Sequence, residues 1–447
     1  MPREELLSEV RGLIAGRDRE RIAALASLVS SPEWADLVPH LDPPEIAILL
    51  QWLPDEEVPE LLAELDPASA AAILLTLTRH EAANLLEAMD PDDATDVIEE
   101  LAPAEAEQIL VQMEPAEAAE LRELLDYPPD SAGGLMTPAF VAVSPDLRAD
   151  QVIAGLRRVA EEAETIYYVY VIDAAERLIG VLSLRNLVLA RPELRVGELM
   201  VADAVRVRAE ADREVAANLL VERNLLALPV VDANERLLGI ITQDDIADVL
   251  VEEATEDIER LGGSQPLDTS YRLASIPLLV RRRIGWLLFL FVAGLFTSQV
   301  LRSFDAELEE VQALTFFLPL IIGIGGNVGS QTATTLVRAI AVGEVQLRDI
   351  TWVVGKEFSV GLGVGLIMAI AGFARTGLSE SVSLGIVVGA TIVCVTVWSA
   401  MVAAVLPLIL RRLRIDPAVV SAPLITTLVD GTGLVIYMTI AKFVLDL

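Results

Sequence analysis

PLITTLVDGTG, residues 423–433, sets one carboxylate, Asp430, in the middle of an apolar run that extends over 417–441. A run of that length crosses the ~30 Å hydrocarbon layer of a bilayer as a helix. An aspartate at its centre costs roughly 3 kcal/mol, and such a residue marks a functional site by default. Four more apolar stretches, at about 284–301, 313–337, 358–375 and 382–410, predict five spans in all. On those boundaries Asp430 is the one acidic residue deep inside a span, and no basic residue lies at its depth to neutralise it. A passing cation would.

The second span carries the companion signal. PLIIGIGGNVGSQ, residues 319–331, strings Gly323, Gly325, Gly326 and Gly329 around Asn327. Glycine and proline free backbone carbonyls, which a membrane tolerates only beside a cavity or another helix. The flanks give an orientation. Arg281, Arg282 and Arg283 precede the first span, Arg338, Arg348 and Lys356 follow the second, and Arg411, Arg412 and Arg414 follow the fourth. The opposite loops carry Asp305, Glu307, Glu309, Glu310 and Glu380. Basic loops face the cytosol, so the N-terminus is expected inside and the C-terminus outside, in a plasma (inner) membrane.

The charge of −34 is distributed unevenly: residues 1–130 hold 31 acidic against 7 basic side chains, whereas 276–447 hold 11 against 12. An acidic, water-soluble half is joined to a neutral apolar half. No nucleic-acid partner is expected. A cleaved signal peptide is not expected, since Met1 to Arg11 has no apolar core. With one cysteine, Cys394, and two histidines, His40 and His80, a metal handled here would be held by oxygen. Oxygen ligands favour hard cations such as Mg²⁺, Ca²⁺ or Mn²⁺. One Asp per chain, with hydroxyls and carbonyls, suits an ion that keeps its water, as Mg²⁺ does. Two chains about a two-fold axis would bring two such aspartates together.

Leu41, Leu53, Leu65, Leu77, Met89, Leu101 and Met113 recur every 12 residues, and Pro43, Pro67, Pro91, Pro103 and Pro115 stand two places later. Proline is tolerated in a first helical turn, so 1–130 is read as a superhelix of short helices. The surface is either an acidic scaffold for another protein or a divalent-cation site, with Glu60, Asp92, Asp93 and Asp96 as candidates. Asp92 and Asp96 share a helix face at i, i+4, where two anions repel unless a cation intervenes.

The next segment repeats itself. YVID at 170–173 matches PVVD at 229–232, and GVLSLRNL at 180–187 matches GIITQDDI at 239–246. Each unit reads as an α/β fold and resembles a CBS domain, so 131–250 resembles a tandem CBS pair. The resemblance implies an adenine-nucleotide site in which an Asp three residues after a Ser or Thr holds the ribose. Asp245 after Thr242 fits, and Asn186 after Ser183 departs from it. Tyr168, Arg185, Asn186 and Asp245 are the candidates for ATP, and a nucleotide-free dimerisation module is the competing reading. An acidic helical run follows with Asp244, Asp245, Asp248, Glu252, Glu253, Glu256, Asp257 and Glu259.

Taken in order, these pieces resemble the MgtE family of Mg²⁺ channels and transporters over the whole chain. The fold class implied is multidomain: an all-α superhelical repeat domain (1–130), an α/β tandem CBS pair (131–250), an acidic connecting or plug helix (251–280), and an α-helical transmembrane domain of five spans (281–447). The resemblance implies a homodimer with a pore at the dimer interface. Asp430 is its pore carboxylate, with Gly325, Gly326, Asn327 and Thr426 lining the path. It also implies that Asp245, Asp248, Glu253, Glu256 and Asp257 bind regulatory Mg²⁺, which closes the plug when the ion is abundant. An ion-coupled exchanger is the alternative. No enzyme is expected, because there is no Walker A motif and no His or Cys nucleophile arrangement.

Overall fold

The computed structural model describes residues 3–26, 28–160, 163–267, 271, 274–413 and 415–447, apart from the side chain of Asp248. Two compact units divide at Val251 and Glu252.

The first unit opens with short helices: α1 (Arg3–Gly16), α2 (Arg19–Ala26), α3 (Ser31–Ala35), α4 (Pro43–Trp52), α5 (Glu57–Ala63), α6 (Pro67–Leu74), α7 (Arg79–Glu87), α8 (Pro91–Glu99), α9 (Pro103–Leu110) and α10 (Pro115–Leu124). The 12-residue period is a helix and its turn. Proline occupies the first helical position of α4, α6, α8, α9 and α10, where its missing N–H would have no partner in any case. Asp66 caps α6 through Ser69 N at 3.0 Å. The periodic Leu41, Leu53, Leu65, Met89, Leu101 and Met113 are buried between the helices, and Leu77 is partly so. Each helix is too short to stand alone; stacking on neighbours buries its apolar side.

The two similar α/β units follow as two sheets. The first runs β1 (Ala142–Val143), β2 (Tyr168–Ile172), β3 (Leu178–Ser183) and β4 (Val201–Ala202), with α11 (Ala149–Val159), α12 (Leu184–Leu189) and α13 (Val196–Leu199). The second runs β5 (Val207–Arg208), β6 (Ala227–Val231) and β7 (Leu237–Thr242), with α14 (Arg213–Arg223). The internal repeat is visible in the registers: Tyr168 pairs with Ser183 in one antiparallel hairpin, and Ala227 with Thr242 in the other. The hairpins also exchange bonds, Leu178 N donating to Glu235 O at 2.9 Å and Leu237 N to Glu176 O at 3.1 Å.

Helix α15 (Gln243–Leu261) starts at the end of β7, eight residues before the expected connecting helix. The reason is local: Thr242 N donates to Asp245 Oδ2 at 3.1 Å, and the Thr242 hydroxyl donates to the same oxygen at 2.8 Å, closing the first turn. No helix follows among the described residues between 262 and 275.

The second unit holds α16 (Ile276–Ser303), a short α17 (Asp305–Glu310), α18 (Leu318–Ala341), α19 (Ile350–Ser379), α20 (Val382–Arg412) and α21 (Ala422–Leu445). All but α17 are long and apolar enough to cross a membrane. α16 begins eight residues before its apolar stretch, where Ser275 caps its first turn; α20 begins where expected, capped by Ser381, and α21 begins five residues later than expected, capped by Ser421. α19 begins eight residues before the expected span and so takes in Glu357. Asp430 is therefore not the only acidic residue within a long apolar helix. α18, α20 and α21 form the packed centre, α19 lies along α20, and α16 lies along α21 with no residue buried.

Candidate ion-binding site

Asp430 stands on α21 one turn beyond Thr426, on the same face. It is half-buried, and its Oδ1 is enclosed without a hydrogen-bond partner. An unpaired carboxylate oxygen in an apolar bundle is costly unless a cation reaches it. Small residues bring the neighbouring helix close. A Cβ on Gly325 would stand 2.8 Å from Val429 Cγ1, one on Gly326 2.9 Å from Thr426 Cγ2, and one on Gly329 2.5 Å from Ile425 Cγ2. Gly325 and Gly326 are thus buried in the helix contact, and the Gly325 carbonyl is taken by Ser399 Oγ at 2.6 Å. Thr426 Oγ1 donates to Ala422 O at 2.8 Å and lies 3.5 Å from Ser330 Oγ.

Asn327 lies on the other side of α18. Gly323, Asn327, Gln331, Thr334 and Arg338 are all exposed and follow one another at helical spacing. Such a polar stripe does not face hydrocarbon; it requires water or a second protein surface. The other acidic side chain of the bundle, Glu357, is half-buried and accepts from Thr332 Oγ1 at 3.3 Å.

A second group of carboxylates lies in the first unit. Asp90, Asp92 and Asp93 come from the start of α8, Asp244 and Asp245 from the start of α15, and Glu164 from the loop before β2. They repel one another. Burial, then the charges of Asp245 and Asp93, push the Asp92 carboxyl well above its ordinary range. Burial and Asp245 push Asp93 up to about 8. Burial, Asp90 and Asp245 push Glu164 up to about 7, and burial with Asp244 and Glu60 raises Asp90. Asp92 Oδ1 is buried without a hydrogen-bond partner. Glu60 is exposed and accepts from Ser31 Oγ at 3.1 Å; Asp96 is exposed. Among the described residues no three His, Cys, Asp or Glu side chains converge closely enough to hold a metal ion. The arrangement suits a hydrated ion that screens pairs of carboxylates through its own water.

In the second unit the later turns of α15 form a similar crowd. Asp257 is raised by burial, Asp416 and Glu253, with Arg338 opposing. Glu256 pairs with Arg260, which also pairs with Asp416. The side chain of Asp248, and Arg414, lie outside the described residues. Glu164, Asp90, Asp416 and Glu357 were not singled out in the sequence. Only Asp90 had a local sign, its place before Pro91 at a helix start.

The nucleotide candidates divide. Tyr168 begins β2 and is half-buried, while Arg185 and Asn186 are exposed in the first turn of α12, with Asn186 N donating to Ser183 Oγ at 3.2 Å. Asp245 is engaged by Thr242.

Five helices long and apolar enough to cross a membrane, carboxylates within two of them and a large acidic region ahead of them point to a multi-pass membrane protein that handles cations. Comparison with known proteins makes this specific. Residues 318–440 match the model of the MgtE divalent cation transporter family, 29–130 that of the MgtE intracellular N domain, and 132–193 and 196–252 that of the CBS domain. The chain is 44% identical over 327 residues to the magnesium transporter MgtE of Thermus thermophilus, covering 73% of each chain. It is 36% identical to that of Bacillus subtilis, covering 71% of this chain and 70% of the relative. A crystal structure of the cytosolic domain of the Mg²⁺ channel MgtE in complex with ATP superposes with a TM-score of 0.53 at 35% identity, over 54% of this chain and 99% of that one. This chain belongs to the MgtE family of magnesium transporters.

Proposed function

We propose that the chain is a Mg²⁺ channel for uptake, closed by cytosolic Mg²⁺, working as a homodimer with its N-terminus in the cytosol and its C-terminus outside. The observation that carries this reading is Asp430, half-exposed on a membrane helix with one carboxylate oxygen unpartnered. A partly hydrated Mg²⁺ satisfies that oxygen and retains most of its water. Asn327 and Thr426 line the approach; Gly325 and Gly326 serve by letting α18 meet α21. The exposed stripe from Gly323 to Arg338 meets its partner when a second copy or the pore water covers it.

Regulation is assigned to the acidic groups. When Mg²⁺ is abundant it screens Asp92, Asp93, Asp245 and Glu164 in the cytosolic unit, with Glu60 and Asp96 beside them. It likewise screens Asp257, Glu253 and Glu256 on α15, and Asp248 belongs to the same acidic run. When Mg²⁺ is scarce, repulsion drives these groups apart, and α15 leaves its closed position. ATP is assigned to the CBS pair near Tyr168, Arg185, Asn186 and Asp245, in line with the ATP complex of the related cytosolic domain.

An ion-coupled exchanger is the second reading, and Glu357 favours it as an additional membrane carboxylate. Flux into liposomes under a Mg²⁺ gradient alone separates the two. Flux with no opposing Na⁺ or proton gradient supports the channel, and flux that requires one supports the exchanger.

A further inference from the structure

The chain that follows α15 is tied to the membrane helices by contacts that the ion path does not use. Arg260, the only basic residue of α15, pairs with Glu256 one turn back and with Asp416 ahead of α21. Gln265 N donates to the Arg282 carbonyl of α16 at 3.0 Å. Gly263 has φ +76°, and a Cβ there would stand 2.8 Å from Trp286 Cδ1 and 3.4 Å from Pro423 Cγ. Trp286, on α16, donates its Nε1–H to Ser421 Oγ at 3.0 Å. Ser421 is fully buried and caps α21, its Oγ accepting from Leu424 N at 3.4 Å.

One indole therefore touches the end of α15 on one side and the cap of the Asp430 helix on the other. No residue of α16 is buried, so Trp286 is not held there by a core of its own. A tryptophan at a membrane boundary ordinarily gives its N–H to water or headgroups; here the N–H is spent on a neighbouring helix start. About three turns further along α16, Phe296 and Thr297 lie 3.1 and 3.2 Å from where a Cβ on Gly431 would be, next to Asp430 in the chain. α16 thus bears on α21 at its cap and at Gly431, the residue after Asp430.

We propose that Trp286 is the positioning residue through which α15 sets the attitude of α21, and with it the access to Asp430. The proposal rests on the Mg²⁺-closed channel reading above. When α15 is held by Mg²⁺, Gly263 seats the indole on Ser421; when α15 shifts, the indole is freed and the start of α21 moves with it.

The test measures currents through membrane patches holding the full chain, with Mg²⁺ varied on the cytosolic face. Wild type is compared with Trp286→Phe, Ser421→Ala, the double variant and Gly263→Ala. Trp286→Phe keeps a ring and loses the N–H. It is expected to leave the current at the lowest Mg²⁺ and the unfolding temperature unchanged, and to raise the Mg²⁺ needed for half-closure about 2- to 10-fold, the worth of one hydrogen bond. Ser421→Ala is expected to shift it the same way, and the double variant no further. Gly263→Ala presses on the indole from the α15 side and is expected to shift half-closure without touching Ser421, which decides the matter if Trp286→Phe does not fold. A regulated wild type with no shift in Trp286→Phe or Gly263→Ala overturns the relay and leaves the gate standing. A wild type whose current ignores cytosolic Mg²⁺ overturns the gate and the relay with it.

Discussion

Gly325 of α18 meets Val429 of α21 with no room for a side chain between them: a Cβ on the glycine would stand 2.8 Å from Val429 Cγ1 and 2.7 Å from Val395 Cγ1. Val429 is the neighbour of Asp430, so this contact fixes the carboxylate's height against α18. Gly325→Ala should destabilise the membrane unit by about 1–3 kcal/mol through overpacking and lower Mg²⁺ flux. Adding Val429→Ala should restore part of both losses, because the two sites share one contact. Thermal unfolding in detergent and liposome flux check this; an unchanged unfolding temperature in Gly325→Ala would contradict the packing.

The polar stripe on α18 should be wet. In a Cys394→Ser background, Asn327→Cys and Gln331→Cys should react with a water-soluble thiol reagent in intact membranes. Phe291→Cys, exposed on the apolar α16, should not. Equal, slow labelling at all three positions would place the stripe in lipid.

Protons should do part of what Mg²⁺ does in the cytosolic unit. Asp93 is raised to about 8 and Glu164 to about 7. The packed arrangement therefore binds protons that the separated one, with carboxyl groups near their ordinary value of about 4, does not. Its stability is fully present below about 4 and is lost as pH rises through 7 and 8. With dyes on cysteines at the exposed positions 28 and 188 of the full chain, energy transfer without Mg²⁺ should be higher at about pH 6 than at about pH 8.5. Saturating Mg²⁺ should remove the difference. Transfer independent of pH would show that these carboxylates do not set the packing.

Neutralising one member of the same crowd should mimic the ion. Asp93→Asn removes a charge that faces Asp245, Asp90 and Asp96, so the channel should close at lower cytosolic Mg²⁺. A raised Mg²⁺ requirement would instead make Asp93 a direct ligand whose loss weakens binding.

The parts of the fold that repeat were legible in the sequence. Proline at N1 and a buried apolar residue every 12 positions define the superhelix, and the matched hairpins define the CBS pair. Helix ends were less so, because the Thr242 and Ser275 caps lie outside the apolar runs, and the early start of α19 brought Glu357 inside. What no local pattern carried was tertiary approach. Glu164 has no motif of its own and joins Asp92 and Asp245 only because a loop folds over the start of α15. Trp286 reads as an interfacial aromatic until its N–H is seen on Ser421. Gly325 and Gly326 read as lining a cavity or as admitting a neighbouring helix, and their burial against Val429 and Thr426 is the helix contact.

The most direct test is Mg²⁺ flux into liposomes holding the wild type, Asp430→Asn or Asp430→Ala, with a Mg²⁺ gradient and no other. The account requires flux in the wild type and its loss in both variants at unchanged folding. Flux undiminished in Asp430→Asn would contradict the role assigned to that carboxylate.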